Sequence, residues 1–320
     1  MTVVFYDQRL SPAAETKLRE RLSEQDLRVS AHPMGNLYAP GTDPSAREAE
    51  VLFGQPSLDT LRLASAVRWV HLSSAGYARY DVREARALFR ERGAKLTTSS
   101  QVYAVPCAEQ ALAGMLALAR RIDVCLAEQP HGTWLSDDHR RRAALLAESQ
   151  VLLLGFGAIG RALAPRLQAF GARVVAVRRR PQRGDPVPTL TESQMHPALA
   201  EADFVVSLLP GGPQTEHFLD RDRLARMKRG AFFVNVGRGR TVEQDALREA
   251  LECGRLGGAY LDVTDPEPLP PEDPLRTAPR TIISPHMAGG RPGEMLALVD
   301  HFLENFDRFR RGEDLNDRVL

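Results

Sequence analysis

The chain has 320 residues, 43% hydrophobic and 26% charged, with a formal net charge of +1. That length suits one large or two ordinary domains, each able to bury its own core. The near-neutral balance excludes the electrostatic footprint of a nucleic-acid binder or of a protein held on an anionic membrane.

Almost all of the positive charge is arginine, since lysine occurs only at 17, 95 and 228. Cys107, Cys125 and Cys253 are odd in number and lack metal-ligand spacing, so neither a disulfide framework nor a metal site is expected, and a reducing cytoplasm fits. The start, MTVVFYDQRL, has no basic region followed by a long apolar run, which argues against a signal peptide. No stretch reaches the roughly 18 uninterrupted apolar residues of a membrane span.

In chain order, TVVFY reads as a buried strand. SPAAETKLRERLSEQ reads as a helix with Ser11 as N-cap and Pro12 in its first turn. EVLFG, VRWVHLSSAG and AKLTTSS read as further strands, with SLDTLRLAS and DVREARALFRERG as helices between them. Strands alternating with helices predict a parallel sheet covered on both faces. Residues 105–128 form one long apolar helix candidate, which must be buried at a domain junction or a subunit interface. Residues 132–150 are polar and irregular and read as a connector.

From Val151 the alternation restarts. VLLLG, RVVAV, DFVVSLL, AFFVNV, GGAYLDV and TIISP predict six strands, with helices at IGRALAPRLQAF, DRDRLARM and EQDALREALECG. A six-stranded doubly wound sheet is the expected product. PGEMLALVDHFLENFDRFRRGE closes the chain as one amphipathic helix.

Gly155, Gly157 and Gly160 form a Gly-x-Gly-x-x-Gly loop directly after a strand and at the opening of a helix. Gly155 allows the tight turn, Gly157 lets backbone approach a pyrophosphate, and Gly160 lets helix and strand pack closely. The amides of Ala158 and Ile159 would face the phosphates at the helix N-terminus. The second strand of such a unit usually ends in an acid that holds a ribose diol. Here Arg178, Arg179 and Arg180 stand there, and guanidinium favours a 2′-phosphate, so NADP(H) is expected over NAD(H), with NAD(H) still possible.

Three later segments place polar residues at strand ends, where open α/β sheets hold their ligands. VNVGRGR carries Arg238, LDVTDPEPL carries Asp262 and Glu267, and ISPHMAGG carries His286. The glycine fingerprint, the Asn-x-x-Arg-Gly segment, the Leu-Asp-Val segment leading to Glu-Pro-Leu, and the Pro-His segment occur in this order. Together they resemble the D-2-hydroxyacid dehydrogenase family over nearly the whole chain. With arginine on the second strand, the nearest likeness is to the glyoxylate and hydroxypyruvate reductase branch.

The resemblance implies two Rossmann-like doubly wound parallel-sheet domains, the nucleotide domain inserted into a flavodoxin-like substrate domain. Residues 1–97 and 288–320 would form the substrate domain and 98–287 the NAD(P) domain. It implies Arg238, Glu267 and His286 as the catalytic set: Arg238 holding a 2-keto acid, His286 donating the proton, Glu267 orienting the imidazole. Closure over the substrate would exclude water.

Leu209 and Pro210 would flank the adenosine, Thr215 would reach a phosphate, and Val236 and Gly237 would run along the nicotinamide ribose. Gly289 would lie near the carboxamide. Asp262 would contact the nicotinamide side or cap a loop, with the resemblance favouring the former. In HLSSAGYARYD, the amides of Ala75 and Gly76 could cradle a carboxylate, with Ser74 and Tyr77 shaping the pocket. Trp134 sits where the reductase branch carries pocket-lining residues. Arg291 departs from the Thr or Ser common after the His segment. A homodimer through the 105–128 helix is expected. The alternatives are an NAD-linked D-3-phosphoglycerate dehydrogenase and a catalytically silent nucleotide sensor of the same fold.

Overall fold

The computed structural model describes residues 1–34, 41–134 and 136–320. Its contacts divide the chain into two compact units, Met1–Tyr103 with Arg291–Leu320, and Ala104–Gly290. Both are α/β with wholly parallel sheets.

The first unit holds β1 (Val3–Gln8), β2 (Asp26–Met34), β3 (Val51–Gly54), β4 (Trp69–Leu72) and β5 (Lys95–Thr97), in the order β2-β1-β3-β4-β5. β3 and β4 are buried at every position, as strands covered on both faces must be. The sequence reading missed β2, whose DLRVSAHPM mixes charged and apolar residues without clean alternation. The last helix, Glu294–Arg311, packs here through Leu298, Val299, Phe302, Leu303 and Phe306. Phe302 stacks between Phe53 (centroids 4.4 Å apart) and Trp69 (5.3 Å).

The second unit holds β6 (Gln150–Leu154), β7 (Arg173–Val177), β8 (Thr189–Leu190), β9 (Phe204–Ser207), β10 (Phe232–Asn235), β11 (Gly258–Leu261) and β12 (Thr281–Ile283). Their order is β12-β11-β10-β9-β6-β7-β8, so strand order reverses between β6 and β9. The sheet therefore has seven strands, not the expected six. The extra one, β8, is a two-residue edge strand paired to Ala176 and Val177, too short to leave a periodic signal.

The apolar helix also departs from expectation. It begins at Ser100, ends at Ala119, and is followed by a separate helix, Ile122–Glu128. Arg121 between them has φ +60°, a left-handed conformation that breaks the helix. The early start has a tertiary cause. Asp317 Oδ2 accepts the Gln101 amide at 2.9 Å, a cap supplied from 216 residues away. By length and composition this helix could cross a membrane, but its inner face is core. Ala108, Ala111, Met115 and Leu118 are buried, and Gly114 lies against the Tyr260 ring.

Candidate active site

The site residues predicted after Val151 lie past the carboxyl ends of β6, β7, β9, β10, β11 and β12, along one edge of the seven-stranded sheet. Each arrives there for a local reason.

Gly155 has φ +101°, a region closed to most L-residues, and its amide donates to Val177 O at 2.9 Å. A Cβ on Gly160 would stand 3.0 Å from both Gly155 O and the Phe156 ring, so helix and loop pack too closely for a side chain. A Cβ on Gly157 would meet nothing within 4 Å, leaving open space over the loop. Gly157 opens the helix Ala158–Ala169 with no side-chain cap, so the first amides, those of Ala158 and Ile159 included, lack carbonyl partners within the helix. This loop fits a pyrophosphate.

Arg178 follows β7 directly, and its guanidinium is already engaged in part. Nη1 donates to both oxygens of Asp185, at 2.7 and 3.0 Å. Arg179 donates to Gln214 Oε1 at 3.1 Å, and Arg180 is exposed. Leu209 is half-buried and Pro210 exposed. The Thr215 hydroxyl donates to Pro210 O at 2.6 Å, which makes it a turn-former in this structure.

Past β10, Asn235 builds the turn that carries Arg238. Its Oδ1 accepts the Gly237 amide and its Nδ2 donates to Arg238 O, both at 3.0 Å. Val236 is buried, and a Cβ on Gly237 would stand 2.6 Å from Leu209 O, which forces glycine. Burial draws the Arg238 guanidinium below its ordinary range, while the charge of Glu267 opposes that shift. The two charges therefore lie within electrostatic reach of each other.

His286 has φ +49°, unusual for a side chain of its size, and is held there by its amide, which donates to Asp262 O at 2.9 Å. Its Nδ1 lies 2.5 Å from Glu267 Oε1. An ionised carboxylate can only accept, so Nδ1 carries the hydrogen and Nε2 is left for another partner.

For Asp262 the structure shows the loop-capping role. The carboxylate is buried, with Oδ1 accepting from Ser284 Oγ (2.7 Å) and the Met287 amide (2.9 Å), and Oδ2 from the Ala288 amide (3.0 Å). Ser284 joins Tyr260 OH at 2.6 Å, which in turn receives Gln110 Nε2 at 2.5 Å. Gly289 is half-buried just beyond. Sequence reasoning did not find Asn235, Tyr260, Ser284 or Gln110 as site residues. Asn235 had a signal, standing first in the Asn-x-x-Arg-Gly segment; the others had none.

In the first unit the Ser74–Gly76 turn follows β4. Ser74 Oγ donates to Gly76 O at 2.7 Å, and Gln55 Nε2 donates to Ser74 Oγ at 2.8 Å. The Ala75 and Gly76 amides donate to no carbonyl among the described residues. Tyr77 is half-buried beside the turn, and Trp134, in the second unit, is 97% exposed. The described residues contain no cluster of His, Cys, Asp and Glu able to hold a metal.

A doubly wound sheet with a glycine-loop nucleotide site and an Arg, Glu and His set on one edge defines an NAD(P)-linked oxidoreductase. Residues 112–288 match the model of the D-isomer specific 2-hydroxyacid dehydrogenase NAD-binding domain. The chain is 33% identical to glyoxylate/hydroxypyruvate reductase B of Yersinia pestis over 318 residues, covering 95% of each. It is 31% identical to a glyoxylate reductase of Korarchaeum cryptofilum over 308 residues, 95% of this chain and 85% of the other. A crystal structure of a D-isomer specific 2-hydroxyacid dehydrogenase from Xanthobacter autotrophicus Py2, in complex with NADPH and MES, superposes with a TM-score of 0.83 at 25% identity, covering 100% of this chain and 98% of that one. The chain belongs to the D-isomer specific 2-hydroxyacid dehydrogenase family, oxidoreductases acting on the CH–OH group with NAD(P).

Proposed function

We propose that this protein is an NADPH-preferring reductase of a small 2-keto acid, glyoxylate or hydroxypyruvate first. The observation that carries the reading is the 2.5 Å contact between His286 Nδ1 and Glu267 Oε1, on the same sheet edge as Arg238. The bound coenzyme supplies a hydride to the carbonyl carbon. As that happens negative charge grows on the carbonyl oxygen, and His286 Nε2 donates a proton there as general acid. Glu267 fixes the tautomer and stabilises the charged ring before transfer. Arg238 presents a planar, permanently charged fork to the keto acid and polarises its carbonyl.

Gly155, Gly157, Ala158, Ile159 and Gly160 bind the pyrophosphate, and Arg178, Arg179 and Arg180 favour the 2′-phosphate. Leu209, Pro210, Thr215, Val236, Gly237, Asp262 and Gly289 line the rest of the coenzyme path, Asp262 by holding the loop. Residues 98–287 serve the coenzyme, and residues 1–97 with 288–320 serve the substrate. Ala75 and Gly76 form an anion nest for a carboxylate, shaped by Ser74. The protein works in the cytoplasm, which three cysteines without a disulfide support, and as a homodimer. Val105, Ile122 and Leu126 leave apolar surface exposed for a second copy.

The test is NADPH and NADH oxidation followed in parallel with glyoxylate, hydroxypyruvate, pyruvate and phenylpyruvate. Faster turnover with NADPH on one of the first two supports the reading. Preference for NADH removes the coenzyme part. Absence of turnover on all four, with the coenzyme bound, removes the substrate part. Light scattering that gives a monomer mass removes the dimer.

A further inference from the structure

The sequence offers no reason to single out Asp185, seven residues past Arg178 in the loop from β7 to β8. Its side chain is only 2% exposed although the loop is at the surface. Its Oδ1 accepts from Arg178 Nη1 (2.7 Å) and Arg161 Nη2 (3.1 Å). Its Oδ2 accepts from Arg178 Nη1 (3.0 Å), the Gln182 amide (3.0 Å) and Thr189 Oγ1 (3.2 Å). Arg161 lies in the first turns of the helix that follows the glycine loop, with its guanidinium over the Phe156 ring. One carboxylate thus ties the end of the second strand to the phosphate-binding helix.

Burial works to raise the Asp185 carboxyl, but the Gln182 amide and Arg178 outweigh it and hold it below its ordinary range, so it is ionised at neutral pH. A carboxylate offers about four lone-pair positions, and all are engaged here. Asp185 therefore has none left for a ribose diol and does not replace the acid missing from the strand end. Arg178 gives up only Nη1, and its Nε and Nη2 bind no described group.

We propose that Asp185 is a positioning residue for coenzyme choice. By holding Nη1 it sets the remaining edge of the Arg178 guanidinium toward the monoester phosphate that distinguishes NADP(H) from NAD(H). This rests on the NADPH preference proposed above. A flexible arginine loses side-chain freedom on gripping a phosphate, and a guanidinium already fixed by a carboxylate loses less.

The experiment uses the whole protein without keto acid. Calorimetric titration gives the Kd of AMP and of adenosine 2′,5′-bisphosphate, and the ratio of the first to the second isolates the 2′-phosphate. Arg178→Gln is expected to reduce that ratio about tenfold, the scale of a lost charge-assisted contact. Asp185→Asn, nearly isosteric, is expected to reduce it about threefold with AMP unchanged, and the double variant to match Arg178→Gln alone. Thr189→Val, which removes a weaker support of the same carboxylate, shifts the ratio in the same direction. An unchanged or improved ratio in Asp185→Asn, with Arg178→Gln still weakened, overturns the role of Asp185 and leaves the coenzyme preference standing. Equal losses for both ligands mean a structural role only and also overturn it. A wild-type protein that binds both ligands alike, and does not respond to Arg178→Gln, overturns the coenzyme preference and this inference together. Turnover on keto acids is not involved in any of these outcomes.

Discussion

His286 Nδ1 stands 2.5 Å from Glu267 Oε1, and the histidine backbone reaches that place only by adopting φ +49°. The strain is held by Asp262, whose main-chain oxygen accepts the His286 amide and whose carboxylate accepts the next two amides. Unusual dihedrals persist where the surroundings over-determine them, and such places are often functional.

His286→Ala is expected to lower kcat by about 10²–10⁴-fold, the range of a lost general acid, with little change in NADPH affinity. Glu267→Gln lowers it less, and the two losses do not add, because Glu267 acts through the imidazole. Steady-state kinetics on the two single variants and the double variant measure this. Additive losses would contradict the pairing.

Asp262→Asn keeps the side-chain shape but replaces one acceptor oxygen with a donor, leaving at least one of the Ser284, Met287 and Ala288 donors without a partner. That costs about 1–3 kcal/mol in a buried position and frees the loop to relax His286. The expected result is a lower melting temperature together with a lower kcat. Full activity at an unchanged melting temperature would show that the loop holds itself.

Gly114→Ala tests the close approach of helix and sheet. Alanine gains up to about 1 kcal/mol of helix propensity, but its Cβ would stand 2.4 Å from Cγ of Tyr260. The ring cannot swing away easily, since its hydroxyl is held between Gln110 and Ser284. Overpacking costs about 1–3 kcal/mol, so the clash wins and urea unfolding shifts to lower concentration. An unshifted midpoint would mean the helix moves out without penalty.

Burial pushes the Asp7 carboxyl up to about 7, against the Gln55 amide, which donates to it at 2.7 Å. The unfolded chain titrates this group near 4. Between about pH 4 and 7 the folded protein therefore holds a proton that the unfolded chain has released, and stability falls as pH rises through that window. Asp7→Asn removes the contribution. Relative to the variant, the wild type is expected to lose up to about 1.4 kcal/mol per pH unit across it. Denaturant unfolding at pH 5 and pH 8 reads the difference; parallel behaviour of the two proteins would refute it.

Phe302→Ala is expected to cost about 3–5 kcal/mol, because Phe302 is fully buried between Phe53 and Trp69. Thermal unfolding of the variant measures it, and a loss under 1 kcal/mol would show that the aromatic stack collapses to fill the space.

The α/β class, six of the seven strands of the second unit and the Gly-x-Gly-x-x-Gly loop were legible in the sequence, because each rests on local chemistry. Continuous apolar runs mark strands buried on both faces, and Gly155 marks a turn that only glycine makes cheaply. Arg238 and His286 were legible as motif residues just past strand ends, and Glu267 as a motif residue in a Pro-rich loop. What tertiary structure alone decided lies where partners are distant in sequence. Asp317 starts the 100–119 helix, Asp262 secures the loop of His286, Asp185 ties Arg178 to Arg161, and Asp7 carries its raised pKa because β3 covers it. Asp262 alone stood in a recognisable segment, where contact with the nicotinamide side was favoured over capping a loop; nothing in the residues around the other three acids distinguishes them from solvated side chains. Burial and hydrogen-bond donors gave these acids their roles, and both exist only after the chain has folded.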